Sequence, residues 1–395
     1  MTTGGTSALV RRMEGSTRAT LLELLFDVVF VAALALTSAL LTEEHSWSGG
    51  AKVLLMLTAI WWTWSLTAIT TEFYDPQQRP IQAILMIAMV GSVGMAVALP
   101  MVTISHLLLF VISYVGTHLI RCIILVAALR RQGHQTARER ATRFLFWFTV
   151  SGFFWIAGAL MGTPNWGFWT AAITIDLVAS AARYPTPRLG QVPIAQYTQI
   201  TEHLGERYQQ FLILALGDII LLPTLQVSRS GLDSFRVAAL LCAFATMLLL
   251  WQVYAFHASE LLRAAGSNRG RPARLAPYTH LVLLAGVVAT AASFEMVVEH
   301  PTGTTPARWL VLIIGGPALF VFGRVLFVLL VSWAVTWRRV AWQLTPLLVL
   351  PWAGGWPPLL VTAVVALGLA GHVLVPPGTD RETTPGLDVR RTDDD

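Results

Sequence analysis

The sequence predicts an all-α fold, a polytopic transmembrane helix bundle of about twelve spans. Three observations predict it. Of the 395 residues, 55% are hydrophobic and 12% are charged, about half the charge that coats an ordinary soluble domain. Apolar runs long enough to cross a bilayer recur from residue 20 to residue 375. Arginines gather in alternate connections between those runs.

These properties exclude several classes. A mean hydropathy of +0.63 leaves too little polar surface for a cytosolic enzyme and too much apolar surface for a disordered chain. The net charge of +5 is not a nucleic-acid footprint, because the arginines sit in short loops, where they set orientation. Cys122 and Cys242 each lie inside an apolar run with no C-x-x-C spacing, so no zinc or redox motif is present and no metal or cofactor is expected. The expected partners are the lipid bilayer and a small solute or ion.

The elements follow in order. Residues 1–19 are polar, carry Arg11, Arg12 and Arg18, and read as a cytoplasmic segment. They are not a cleavable leader, because the run that follows is longer than a signal core. The first half, 20–183, holds candidate spans at 20–41, 52–72, 81–101, 105–129, 143–162 and 167–183. A cytoplasmic linker, 184–202, leads to the second half, 203–375. Its spans fall at 205–226, 235–261, 277–298, 308–335, 341–354 and 356–375. The sixth is short, and Gly354-Gly355-Trp356-Pro357-Pro358 splits the last two. Residues 376–395 are Pro/Gly/Thr-rich, end in three aspartates, and are expected to be a disordered tail.

Loop charge tests this count independently. Arg130, Arg131, Arg138, Arg140 and Arg143 follow the fourth span, Arg183 and Arg188 the sixth. Arg263, Arg269, Arg271 and Arg274 follow the eighth, Arg338 and Arg339 the tenth. All fall on one side if both termini are cytoplasmic, which is the orientation expected in a bacterial inner membrane. The halves also echo one another. Glu23 and Glu206 stand near the start of the first and seventh spans, Trp61–Trp64 and Trp251–Tyr254 lie in the second and eighth, and Arg121 and Arg324 lie mid-span in the fourth and tenth. About six spans per unit would give parallel repeats.

Ionisable groups within spans carry the functional signal, since each costs about 2.5–3.5 kcal/mol at a helix centre. Glu23 and Asp27 share one helix face by their i,i+4 spacing. Arg121 follows His118 and Tyr114 on one face, and Asp176 lies in the sixth span. Glu202, His203, Glu206 and Arg207 open the seventh span, and Asp218 follows Arg207 by about three turns, on the same face. Arg324 follows Pro317, which should kink or break its helix. Glu23, Asp27, His118, Arg121, Asp176, Glu206, Arg207, Asp218 and Arg324 are the candidate solute or ion pathway, with Trp61, Trp64, Trp251 and Tyr254 as cavity aromatics. The same charges also fit buried ion pairs that fix helix register, and the aromatics fit an interface belt. His257 and His280 read as packed core or interface groups.

Two segments carry a family resemblance. Glu23-Leu24-Leu25-Phe26-Asp27-Val28-Val29-Phe30-Val31 resembles the E-L-F-F-D-L-V-F-V opening of the bacterial low-temperature-requirement A (LtrA) family. His203-Leu204-Gly205-Glu206-Arg207-Tyr208, followed by Gly217-Asp218, is similar to its H-x-x-E-R-[FY]…G-E signature. Asp218 stands where the family has Glu, shortening that carboxylate's reach by a methylene. The resemblance implies the polytopic architecture and growth in the cold, but no particular reaction. The charge pattern favours a secondary transporter or ion-coupled permease. A membrane-embedded enzyme acting on a lipid or isoprenoid diphosphate, and a non-catalytic envelope or cold-adaptation protein, are the alternatives. No metal-binding D-D-x-x-D and no nucleophile constellation supports the enzyme.

Overall fold

The computed structural model describes residues 9, 19–44, 46–100, 104–161, 165–194, 202–255, 271–331 and 337–375. The expectations for Arg11, Arg12, Arg18, His257, Arg263, Arg269 and the tail 376–395 lie outside the described residues. The helices are α1 (Leu21–Glu43), α2 (Trp47–Phe73), α3 (Arg79–Val97), α4 (Ile104–Arg131), α5 (Gln135–Leu160), α6 (Trp166–Ala181), α7 (Glu202–Leu216), α8 (Asp218–Ser230) and α9 (Ser234–Ala255). They continue with α10 (Arg271–Glu299), α11 (Ala307–Val331), α12 (Trp337–Leu344), a 3-10 turn (Thr345–Val349), α13 (Leu350–Ala353) and α14 (Pro358–Leu374).

Among the described residues, nine helical stretches are long and apolar enough to cross a membrane: α1 to α5, α7 with α8, α9, α10 and α11. The other three expected spans differ. α6 has 16 residues and α14 has 17. Residues 341–354 do not form one helix but pass from α12 through the 3-10 turn to α13. Pro346 and Pro351 lie in that stretch, and each removes a backbone donor that a continuous helix needs.

Two helix breaks were expected differently. α11 runs unbroken through Pro317, because glycines hold it against α10. A Cβ at Gly286 would lie 2.5 Å from the Phe320 nitrogen, one at Gly316 2.7 Å from that of Thr290, and one at Gly323 2.8 Å from that of Leu283. Such backbone contact is the packing that small residues permit between membrane helices. The interruption falls instead at Gly217, between α7 and α8.

α1 begins with a capping box. The Glu23 nitrogen donates to Thr20 Oγ1 at 3.3 Å, and the Thr20 nitrogen donates to Glu23 Oε2 at 2.8 Å, so two orphan donors are satisfied reciprocally. α2 is buried on all sides over Thr58–Ala68, which places it at the centre of the bundle. Its hydroxyls suit that position. Thr58, Thr63, Thr67 and Thr70 each donate to the carbonyl one turn back, so these hydroxyls are satisfied within the helix. α1, α3, α4, α6, α7 and α10 pack around α2.

Candidate functional site

Arg207 is the hub of an ionic group buried where α1, α2 and α7 meet. Its Nη1 donates to Glu23 Oε1 at 2.8 Å, its Nη2 to Asp27 Oδ1 at 2.6 Å and its Nε to Asp27 Oδ2 at 3.2 Å. The Arg207, Glu23 and Asp27 side chains are all 0% exposed. The guanidinium meets Asp27 with two nitrogens on two oxygens, the planar geometry that arginine supplies and lysine does not. The i,i+4 spacing of Glu23 and Asp27 makes this possible, because it turns both carboxylates to one face. Phe26 and Trp64 lie beside the guanidinium at 5.6 and 5.9 Å.

α2 completes the group. Trp64 Nε1 donates to Asp27 Oδ1 at 2.8 Å, and Arg207 Nη1 also reaches Thr71 Oγ1 at 3.3 Å. His203 stands between two further carboxylate contacts, Nδ1 to Glu72 Oε2 at 3.0 Å and Nε2 to Glu23 Oε1 at 3.5 Å. Asp27, Arg207, Glu23, His203 and Glu72 therefore form one continuous chain of titratable groups over three helices. Trp64→Phe deletes one hydrogen bond to the buried Asp27 carboxylate and shrinks the bicyclic ring to a phenyl. It is expected to cost about 1–3 kcal/mol, read as a lower Tm of the purified protein in detergent. An unchanged Tm would show that this bond carries no stability.

Aromatic groups extend the interior. Trp61 and Trp64 stack at 4.8 Å, and Trp61 Nε1 donates to the Pro277 carbonyl of α10 at 2.7 Å. Tyr208 bonds Ser65 at 3.0 Å and lies 4.5 Å from the His280 ring, which faces Tyr254 at 6.3 Å. Arg324 lies over Tyr254 at 5.6 Å and donates from Nε to the Val253 carbonyl at 3.4 Å.

The remaining candidates fall elsewhere. His118, Arg121 and Asp176 form a second group with Tyr114, whose hydroxyl donates to Asp176 Oδ2 at 2.7 Å. Thr63 of α2 meets His118 Nε2 at 3.2 Å, so α2 touches both groups. Asp218 and Arg207 share a face toward α1, as their spacing implied: Asp218 accepts from Ser38, which follows Asp27, the Arg207 partner, by about three turns of α1. Glu206 is half-buried, next in sequence to the buried Arg207. Trp251 is 43% exposed and faces outward, so it lines no interior surface. The sequence reading did not place Glu72, Thr71, Ser38 and Tyr208 at the site. Glu72 had a legible signal, a carboxylate closing the tryptophan-rich second span.

Among the described residues, then, the chain is a polytopic helical membrane protein with a fully buried guanidinium shared by two carboxylates. It matches the model of the family described as "Bacterial low temperature requirement A protein (LtrA)" over residues 18–374. It is also similar to a protein of Rhizobium meliloti (strain 1021), "Uncharacterized protein RA0937", at 30% identity over 314 residues, covering 78% of this chain and 76% of the relative. The chain belongs to the LtrA family.

Proposed function

We propose that this protein is an ion-coupled permease in which the Arg207 group couples protonation to movement of one half of the bundle against the other. The observation that carries the reading is one guanidinium shared between Glu23 and Asp27 of the first half, with His203 bridging onward to Glu72. Removing charge from one carboxylate would loosen the α1–α7 clamp without leaving Arg207 unpaired. Buried titratable chains of this kind mark proton relays in transporters. A parallel duplication supplies two units that could rock.

The packing supports the finer topology. The start of α1, the end of α2 and the start of α7 meet through Glu23, Glu72 and His203, so an even number of crossings separates α1 from α7. Ser38 near the far end of α1 meets Asp218, and Thr42 meets Glu295 near the end of α10 at 2.9 Å. α1, α7–α8 and α10 therefore run in one direction, which fits about twelve crossings with short spans at α6 and α14. The arginine-rich connections support a reading with both ends on the cytoplasmic face of an inner membrane. The duplication is supported by repeated neighbours. α1 packs on α3 as α8 packs on α10, α3 on α4 as α10 on α11, and α5 on α6 as α12 on α14. Glycines seat the α3–α4 crossing too, with Gly91 against Thr117 and Gly94 against Ser113.

Proteoliposomes loaded with a bacterial metabolite extract and given a pH gradient test the function. The wild type is expected to change the retained level of at least one solute about tenfold relative to the Asp27→Asn, Asp218→Asn double variant, which removes two of the buried charges. Identical mass-spectrometric profiles for both proteins and protein-free vesicles would overturn transport.

A further inference from the structure

We infer that Asp218 is a proton-binding site, loaded through Glu295 at the end of the bundle away from His203 and Glu72. Asp218 is 2% exposed and opens α8, which packs on α1, α7, α9 and α10. Its Oδ2 meets the Ser38 hydroxyl, and its Oδ1 has no hydrogen-bond partner. The surrounding helices bring it no counter-charge. From α10 the group that acts on it is another carboxylate, Glu295. Glu295 in turn has Glu299 and, from α1, Glu43 beside it, with Arg229 of α8 as the opposing cation. On α9 Arg236 pairs with Asp233, and on α7 Arg207, next to Glu206, pairs with Asp27. A buried carboxyl with no cation to pair with takes up a proton rather than stay ionised.

The hydroxyls around it suit a carboxyl that gains and loses hydrogen. Ser38 Oγ lies in bonding range of both Asp218 Oδ2 and the Leu34 carbonyl, the latter at 3.3 Å. Thr42 Oγ1 likewise reaches Glu295 Oε2 at 2.9 Å and the Ser38 carbonyl at 3.2 Å. A hydroxyl has one hydrogen to give and can also accept. Each therefore serves either form of its carboxyl: it donates to the carboxylate, or turns to the helix carbonyl and accepts from the acid. Thr42 and Ser38, one turn apart on α1, lead from Glu295 to Asp218. Glu295 is half-buried and one turn from the end of α10, so a proton enters there. Ser38 and Thr42 also continue the α1 face that carries Asp27. Once the proton leaves, Asp218 is charged in a dry interior, and the unloaded form favours an arrangement that opens it to water. A proton needs no cavity, which fits the close packing of these helices.

This inference rests on the transport reading only for what the proton drives; the binding itself is measured without a gradient. Infrared spectra of the purified full chain in detergent are compared for the wild type, Asp218→Asn and Glu295→Gln. At neutral pH the wild type is expected to show the C=O stretch of a protonated carboxyl that is missing from Asp218→Asn and disappears at alkaline pH. Glu295→Gln is expected to lose this band at a lower pH than the wild type, because a neighbouring carboxylate favours the protonated form. On transfer to heavy water the band shifts as its hydrogen exchanges, and Glu295→Gln is expected to slow that exchange severalfold. If Asp218→Asn fails to fold, Asp218→Glu is expected to move the band. The inference is overturned if the wild type lacks the band, if it persists in Asp218→Asn or, failing that, stays unmoved in Asp218→Glu, or if Glu295→Gln exchanges as fast as the wild type. Loss of the band when sodium chloride replaces choline chloride would assign the site to a metal cation and overturn it equally. A band that depends on Asp218 in a protein that moves no solute keeps the site and refutes transport. Gradient-driven solute movement without the band does the reverse.

Discussion

Arg207→Ala is expected to destabilise the protein by about 3–5 kcal/mol, because it leaves two buried carboxylates facing each other with no counter-charge. In the folded chain Glu23 and Asp27 share this one guanidinium at 2.8 and 2.6 Å. Removing it strands both, and the loss exceeds any contact energy of the arginine itself. Arg207→Lys should recover only part of that loss. An ammonium is a point donor and cannot satisfy both Asp27 oxygens and Glu23 in one plane. The measurement is the Tm and recovered yield of the three proteins in the same detergent, expected in the order wild type, Lys, Ala. Equal stability of the wild type and the Ala variant would mean that the carboxylates are solvated, and the buried network would not exist.

The second large effect is expected at Gly286. A Cβ there would meet the Phe320 nitrogen at 2.5 Å, its Cα at 2.8 Å and the Gly316 oxygen at 2.9 Å. All three are backbone atoms, so no side chain can swing aside. Gly286→Val must push α10 and α11 apart along their whole crossing, and overpacking of this kind costs about 1–3 kcal/mol, sometimes more. Gly315 provides the control on α11, since a Cβ there meets nothing nearer than Val311 at 4.0 Å. Gly315→Ala should leave Tm unchanged or slightly raised, and Gly286→Val should lower it by several degrees. A Gly286→Val protein as stable as the wild type would show that the crossing is loose.

The contrast between these two sites explains what was legible in the sequence. Bilayer residence and the long spans follow from local composition, because a span must satisfy its own backbone whatever its neighbours do. The pairing of Glu23 with Asp27 on one face was also legible, since helix periodicity alone fixes it. Their partner was not. Arg207 is remote in sequence from Asp27, and periodicity carries no information between helices. The shared face of Arg207 and Asp218 was legible in the same way, whereas their partners on α1, Asp27 and Ser38, were not. The helix runs on through Pro317 and the short interruption falls at Gly217 for a tertiary reason. α10 braces the helix around Pro317, whereas Gly217 lies at the junction where α7 ends and α8 begins. Glycine has a weaker helix preference than other residues except proline, but only packing decides which weak point gives way. α6 and α14 fell short because hydropathy marks apolar content more sharply than it marks helix length.

The account depends on the Arg207 group serving movement rather than mere cohesion, and one replacement separates the two. Substituting well-packed neutral residues for a buried ionic group is often neutral or stabilising. The triple variant Glu23→Gln, Asp27→Leu, Arg207→Met should therefore fold, with Gln retaining the capping box at Thr20. Its flux in metabolite-loaded proteoliposomes under a pH gradient is the decisive measurement. A Tm within a few degrees of the wild type together with loss of the gradient-driven solute change is the predicted result. Full wild-type flux from a protein without these three charges would contradict the proposal that they drive transport.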